Sequence, residues 1–298
     1  MTNKDQPICF LFDNGSLRAA STLGLRRLAA ALADALGIPV RAVSLLHSSG
    51  VPVSELEGRR AELLEPALLD FLAQGGTEAV LLPLFFGPSA ALTDYVPERA
   101  AAILQKYPGR SLRLAEPLVD VTDATEGRIA DMLADAVRTT ISQGQMERAA
   151  VLLTDHGTPL RSVTAVRNHL GRQLASRLRN AGQIAEVGVA SMERREGEDY
   201  AFNEPLLERA LTCPPFDRGD VVIALQFLQP GRHAGPDGDI ATICRAAEEG
   251  AGGALRTHMT APIGTADPRL IGLLADRYRA ALTTDSAVLS DRYPARNA

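Results

Sequence analysis

The chain contains no tryptophan, its aromatic content is 4%, and its three cysteines are scattered. Cys9, Cys213 and Cys244 are odd in number and show no C-x-x-C spacing. That pattern excludes a disulfide framework, a cysteine zinc site and an iron–sulfur cluster, and it fits a reducing compartment. An excess of basic charge is also missing. The 31 Lys and Arg face 36 Asp and Glu, for a formal net charge of −5, which gives the whole chain no pull toward nucleic acid or an anionic membrane surface. Any anionic ligand must therefore be held by local arginines. No apolar stretch reaches the ~18 residues of a membrane span. The strand-like run Ile8-Cys9-Phe10-Leu11-Phe12 begins too early to leave space for a signal peptide, so the expectation is a soluble, cytoplasmic protein.

What is present is Ala, Leu and Val in quantity: hydrophobic residues make up 46% of the chain, a composition suited to helices packed on buried parallel strands. A length of 298 residues exceeds the ~250 at which single cores stop growing, which points to two domains. Short apolar runs at 8–12, 39–46, 79–86, 149–154, 184–191 and 221–228 read as buried strands. Between them lie helical patterns. From Thr22 to Leu36 a stripe runs through Leu25, Leu28 and Leu32, and from Arg161 to Leu178 another runs through Val163, Val166, Leu170 and Leu174. Alternating strands and helices predict an α/β protein with parallel sheets covered on both faces.

The second half restates the first. Leu11-Phe12-Asp13-Asn14-Gly15-Ser16 aligns with Leu153-Thr154-Asp155-His156-Gly157-Thr158 at an offset of 142 (156 − 14), and the apolar run ending in Pro88 aligns with that ending in Pro230 at the same offset. Leu64-Glu65-Pro66 resembles Asn203-Glu204-Pro205 at an offset of 139 (205 − 66). Two tandem flavodoxin-like domains related by duplication are expected, 1–143 and 144–298. The join falls in the polar stretch Ser142 to Glu147, and Asp285 to Ala298 reads as a loosely held tail.

Open parallel sheets bind ligands outside the carboxyl ends of their strands. In the second half three such ends carry His156, Glu193 and His233. Imidazole binds borderline divalent metals and accepts protons near neutral pH, and a carboxylate adds a base. Each residue also has a plainer reading: a histidine after a strand is commonly a turn residue, and Glu193 opens a charged run, Glu193 to Asp199, that suits a solvated loop. Their meeting at matched strand ends favours function. His169 and His258 read as structural, and His47 stays open. In the first half Asn14 stands where His156 would be, and Ala90 or Ala91 where His233 would be, so that half supplies no pair of nitrogen ligands.

These residues resemble a family, the class II tetrapyrrole chelatases, in particular the two-domain long form of the sirohydrochlorin cobaltochelatases and ferrochelatases. The resemblance rests on His156-Gly157-Thr158, Glu204-Pro205, Phe227-Leu228 followed by Gly231, His233 and Asp239-Ile240, and Pro262-Ile263-Gly264 followed by Pro268 and Leu270. It implies a metal chelatase, a lyase of cobalamin or sirohaem (porphyrin-type) biosynthesis. His156, His233 and Glu193 would be both catalytic and metal-binding, with Glu196 and Glu198 as competing carboxylates. It also implies a cleft between the domains, cobalt, iron or nickel as a substrate ion with no tightly bound cofactor, and a tetrapyrrole rich in carboxylates. Arg161, Arg194, Arg195, Arg232 and Asn14 are the candidates for holding that pigment. Departures from the family pattern are the missing first-half histidines. They leave a non-catalytic tetrapyrrole or metal carrier as the alternative. A hydrolase built on Asp155-His156-Gly157 is disfavoured, because no glycine-rich phosphate loop is present. The same ligands accept all three metals, and duplication allows a monomer or a homodimer.

Overall fold

The computed structural model describes residues 7–289. It separates into two compact units, each a parallel α/β sheet. One unit takes the chain up to Asp120 together with the segment from Thr265 onward, and the other takes Val121–Gly264.

In the first unit β1 (Ile8–Asp13) pairs with β2 (Val40–Ser44) on one side and β3 (Glu78–Pro83) on the other. β4 (Ser111–Leu114) continues the sheet, and β9 (Val288–Leu289) closes it as an antiparallel edge, giving the order β2-β1-β3-β4-β9. The central strands β1 and β3 are apolar along most of their length because both faces are covered. Phe10, Phe12, Val43 and Leu81 meet α2 (Leu64–Ala73) and α3 (Val96–Lys106). α1 (Ala19–Leu36) and α8 (Pro268–Thr283) pack together and against β2 and β3, and the Tyr278 hydroxyl donates to the Pro7 carbonyl at 2.7 Å.

The second unit repeats the plan. β5 (Ala149–Asp155) lies between β6 (Ile184–Ser191) and β7 (Gly219–Leu225), and β8 (Leu255–Met259) gives the order β6-β5-β7-β8. Leu152, Val221, Ile223 and Leu225 face α6 (Leu207–Ala210) and α7 (Asp239–Gly250). α4 (Arg128–Gln143) and α5 (Arg161–Leu178) pack together on β5, β6 and β7. Both sheets thus carry the first-to-fourth strand order 2-1-3-4 of flavodoxin-like folds.

The backbone repeats in detail. Leu84 N donates to Phe12 O and Gln226 N to Thr154 O, while Leu46 N donates to Asn14 O and Glu193 N to His156 O. Glu193 is therefore the counterpart of Leu46.

Three sequence expectations are corrected. The units do not divide near residue 143: α4 precedes that point yet buries Ile129, Met132, Leu133, Val137 and Ile141 in the second unit, while α8 buries Leu270, Leu273 and Leu274 in the first. The last helix of each repeat is thus exchanged, and the polar stretch after Ser142 is only the turn from α4 into β5. The two Glu-Pro pairs are not equivalent either. Glu65-Pro66 lies inside the first turn of α2, whereas Glu204-Pro205 precedes α6, and Pro205 O accepts from Ser191 N as Glu62 O accepts from Ser44 N. In the C-terminal segment read as a tail, Val288 and Leu289 pair with Arg113 and Leu112 of β4; positions 290–298 lie outside the described residues.

Candidate functional site

β5 is flanked by β6 and β7, so the strand order reverses beside it, and the chain must leave its carboxyl end in a sharp loop. Gly157 makes that loop possible. Its φ is +91°, and a Cβ there would stand 1.8 Å from the Glu193 carbonyl oxygen, so a side chain is excluded on both counts. The close approach lets Glu193 N donate to His156 O at 3.2 Å, which sets the Glu193 backbone beside the histidine. His233 arrives from the Gly-rich segment between β7 and α7.

The three side chains converge. The His156 and His233 rings meet edge to face with centroids 4.6 Å apart, and His156 Nε2 is 3.6 Å from Glu193 Oε1. Each imidazole is oriented from behind. His156 Nδ1 lies 3.0 Å from the Gly157 carbonyl, an acceptor that places the ring proton on Nδ1. His233 Nδ1 lies 2.6 Å from Asp239 Oδ2, in the first turn of α7. Neutral imidazoles held in this way keep their Nε2 lone pairs for an ion or a proton. Glu193 and His156 are exposed and His233 is half-buried, so the cluster opens to solvent. Among the described residues no group of three or more His, Cys, Asp and Glu side chains is arranged to hold a metal ion.

Beneath the loop lies a buried polar layer. Asp155 Oδ1 accepts from Ser191 Oγ at 2.6 Å, and Arg167, only 1% exposed, reaches Ser191 Oγ at 2.5 Å and the Asn203 carbonyl at 2.7 Å. Burial pushes the Asp155 carboxyl up, opposed by the Ser191 hydrogen bond and the Arg167 charge, while burial pulls the Arg167 guanidinium down.

The arginines differ in their engagement. Arg194 Nε bonds Glu204 at 2.8 Å and its Nη1 bonds the carbonyls of Arg195 and Gly197, so it braces its own loop. Arg232 stands 3.6 Å from Asp239. Arg161 lies over the Phe202 ring at 4.7 Å and Arg195 over Tyr200 at 5.8 Å, and among the described residues neither guanidinium pairs with a carboxylate. Asn14 is exposed in the first unit, with its carbonyl accepting from Leu46 N. Of the other histidines, His169 is buried in α5, His258 bonds Asp220 at 2.9 Å, and His47 is exposed with φ of 62°. Cys9 and Cys244 are buried, which raises their thiols, that of Cys244 to about 11.

Sequence reasoning did not single out Tyr200, Phe202, Arg167 or Asn203 for the site. An arginine on the apolar stripe of α5, at the position where α1 has Leu25, was the available signal for Arg167. Asp239 was noted only as part of the motif beyond His233. Its first-turn place on α7, six residues after a histidine, identifies it as a ring-orienting carboxylate.

No protein-family model matches the chain and no curated protein matches it by sequence. Solved structures do match it in shape. SirB from Bacillus subtilis with Fe3+ aligns over 93% of this chain and 96% of its own, with TM-score 0.62 and 14% identity. The sirohydrochlorin chelatase SirB from Bacillus subtilis subspecies spizizenii, in complex with cobalt, aligns over 96% and 100%, with TM-score 0.59 and 14% identity. The chain has the fold of the sirohydrochlorin chelatases. CbiX, the terminal enzyme for siroheme biosynthesis in denitrifying bacteria, aligns over 93% and 99%, with TM-score 0.57 and 17% identity.

Proposed function

We propose that this chain inserts a divalent metal ion into sirohydrochlorin or a closely related tetrapyrrole, working from the second unit. The observation that carries the reading is the convergence of His156, Glu193 and His233 with both imidazole Nδ1 atoms already engaged. A substrate ion must shed water and then leave its protein ligands for the macrocycle, so weak, open coordination suits it better than a closed cage. The macrocycle must lose two pyrrole protons as the ion enters. Glu193 and the imidazole nitrogens are bases within a few ångströms of one another, with Glu193 open to solvent to pass a proton on.

Arg161 and Arg195, pre-set on aromatic rings, are the groups best placed to meet the pigment's carboxylates. Arg194 holds the loop and Arg232 supports Asp239. The match in shape to chelatases solved with Fe3+ and with cobalt supports a transition-metal substrate, and iron, cobalt or nickel all suit the ligand set.

The test is an anaerobic absorbance time course with sirohydrochlorin and Co2+, Fe2+ or Ni2+ in turn. Metal insertion above the protein-free rate is expected, falling by about 10²–10⁴ in His156→Ala and in His233→Ala while the far-ultraviolet spectrum is kept. Pigment binding without accelerated insertion would replace the chelatase with a carrier. Unchanged insertion in both variants would remove the site.

A further inference from the structure

The first unit is an internal control for the second, because it has the same backbone without the histidines. Asn203, 0% exposed, ends the 3-10 turn Glu198–Asn203 after β6 and is bonded to the loop that carries His156. Its Oδ1 accepts from Thr158 N at 3.1 Å and from Thr164 Oγ1 at 3.2 Å, and its Nδ2 donates to the carbonyls of Thr158 at 2.9 Å and Tyr200 at 3.1 Å. The amide thus uses its full complement of four hydrogen bonds, two of them on the backbone two residues beyond His156. Arg167 holds the Asn203 carbonyl from below and reaches Asp155, the residue before His156, through Ser191.

The same helix positions in the first unit show what happens where the site is absent. α1 and α5 correspond residue for residue, so Thr164 matches Thr22 and Arg167 matches Leu25. Thr22 is retained and buried, yet its Oγ1 has no hydrogen-bond partner among the described residues. Asp13, the match of Asp155, also keeps its serine, Ser44, but its Oδ1 is shielded from solvent and unpaired. Two parts of the polar layer therefore persist without the buried amide, and the matching loop carbonyls of Leu56, Arg59 and Arg60 take their guanidinium from the less buried Arg26 of α1. The first sheet folds regardless, so the complete layer is not a requirement of the fold. It accompanies the histidine.

We infer that Asn203, with Arg167 beneath it, is a positioning residue that holds the His156 loop so that Nε2 faces Glu193 and the incoming ion. The inference rests on the metal-site reading above. It assigns these buried residues to ion capture first, since three of the four amide bonds fall on Thr158 and Thr164 beside His156 and one on the Tyr200 carbonyl, next to the rings that carry Arg161 and Arg195.

The experiment compares full-length wild type with Asn203→Ala, Asn203→Asp, Arg167→Leu and His156→Ala, measuring Co2+ affinity by calorimetry and insertion kinetics with metal and sirohydrochlorin varied in turn. Asn203→Ala is expected to raise the Kd and KM for Co2+ by about 10–100-fold, as loss of a ligand-orienting group does, with a smaller rise in the KM for sirohydrochlorin. Asn203→Asp keeps both accepting bonds but sets a carboxylate oxygen against the Thr158 and Tyr200 carbonyls, so its Co2+ KM should rise at least as far as that of Asn203→Ala. Arg167→Leu installs the residue the first unit already carries at that position, and it should weaken Co2+ in the same direction even if Asn203→Ala does not fold. Wild-type Co2+ affinity in Arg167→Leu and in any folded Asn203 variant, or equal rises in both KM values, would overturn the inference. If His156→Ala also bound Co2+ normally, the metal-site reading itself would be the part that fails.

Discussion

A single carboxylate separates the two repeats at the residue scale. Burial raises the carboxyls of both Asp155 and Asp13; Ser191 and the Arg167 charge oppose it at Asp155, whereas at Asp13 only Ser44 and backbone hydrogen bonds do. The folded state therefore holds the Asp13 proton more tightly than the unfolded chain does. Stability contributed by that proton is complete below the unfolded value of ~4 and is lost as pH rises through the folded one. Asp13→Asn removes the buried charge without changing the shape. Its melting temperature should exceed that of the wild type near neutral pH, by about 2–4 °C for each kcal/mol relieved, and the advantage should vanish as pH falls toward ~4. Thermal melts across that range check it, and a Tm gain independent of pH would show that packing rather than charge was relieved.

At the scale of elements, the strands β1, β3, β5 and β7 announce themselves as apolar runs because both of their faces are covered. The α5 stripe also gives that helix its bounds. Less legible are β4 and β8, which are four and five residues long and interrupted by Arg113 and Arg256. Each arginine pairs with a carboxylate on the neighbouring strand, Glu78 and Asp220, so polarity that reads as loop is satisfied across the sheet. The same limit applied to the site. Position after a strand was enough to nominate His156, Glu193 and His233, but periodicity gives no hint that Glu193 rather than Glu196 or Glu198 comes within 3.6 Å of His156. That depends on the tight approach of two loops over Gly157. The approach has a counterpart at Gly15, where a Cβ would lie 1.7 Å from the Leu46 carbonyl oxygen. Alanine at either position must push the facing loop away and adopt a backbone that L residues rarely take. Gly157→Ala is expected to lose both stability and metal affinity, and Gly15→Ala stability alone. Co2+ titration of the two variants distinguishes them, and equal Co2+ affinity in both would mean that the Glu193 approach does not serve the ion.

On the scale of the whole molecule, the duplication and the compact units obey different boundaries. The repeat runs β-α-β-α-β-α-β-α twice, yet the final helix of each copy is buried in the other unit. Sequence reading followed the repeat, and a polar turn after α4 looked like a linker because nothing local marks which sheet a helix will cover. Burial decides it. α4 has five large apolar side chains packed beside α5 and on β7, so a fragment starting at residue 144 would expose that surface while keeping α8, whose Leu270, Leu273, Leu274 and Tyr278 belong to the other sheet. Exposed apolar area of this kind costs about 25 cal/mol per Å², enough to undo a domain of marginal stability. Two fragments test the boundary. Residues 121–264 should give a dispersed amide spectrum, a cooperative melt and Co2+ binding that His156→Ala removes. Residues 144–298 should aggregate or remain unfolded. A folded, metal-binding 144–298 fragment would mean that α4 is dispensable to the second sheet and that the repeat, not the contact pattern, marks the folding unit.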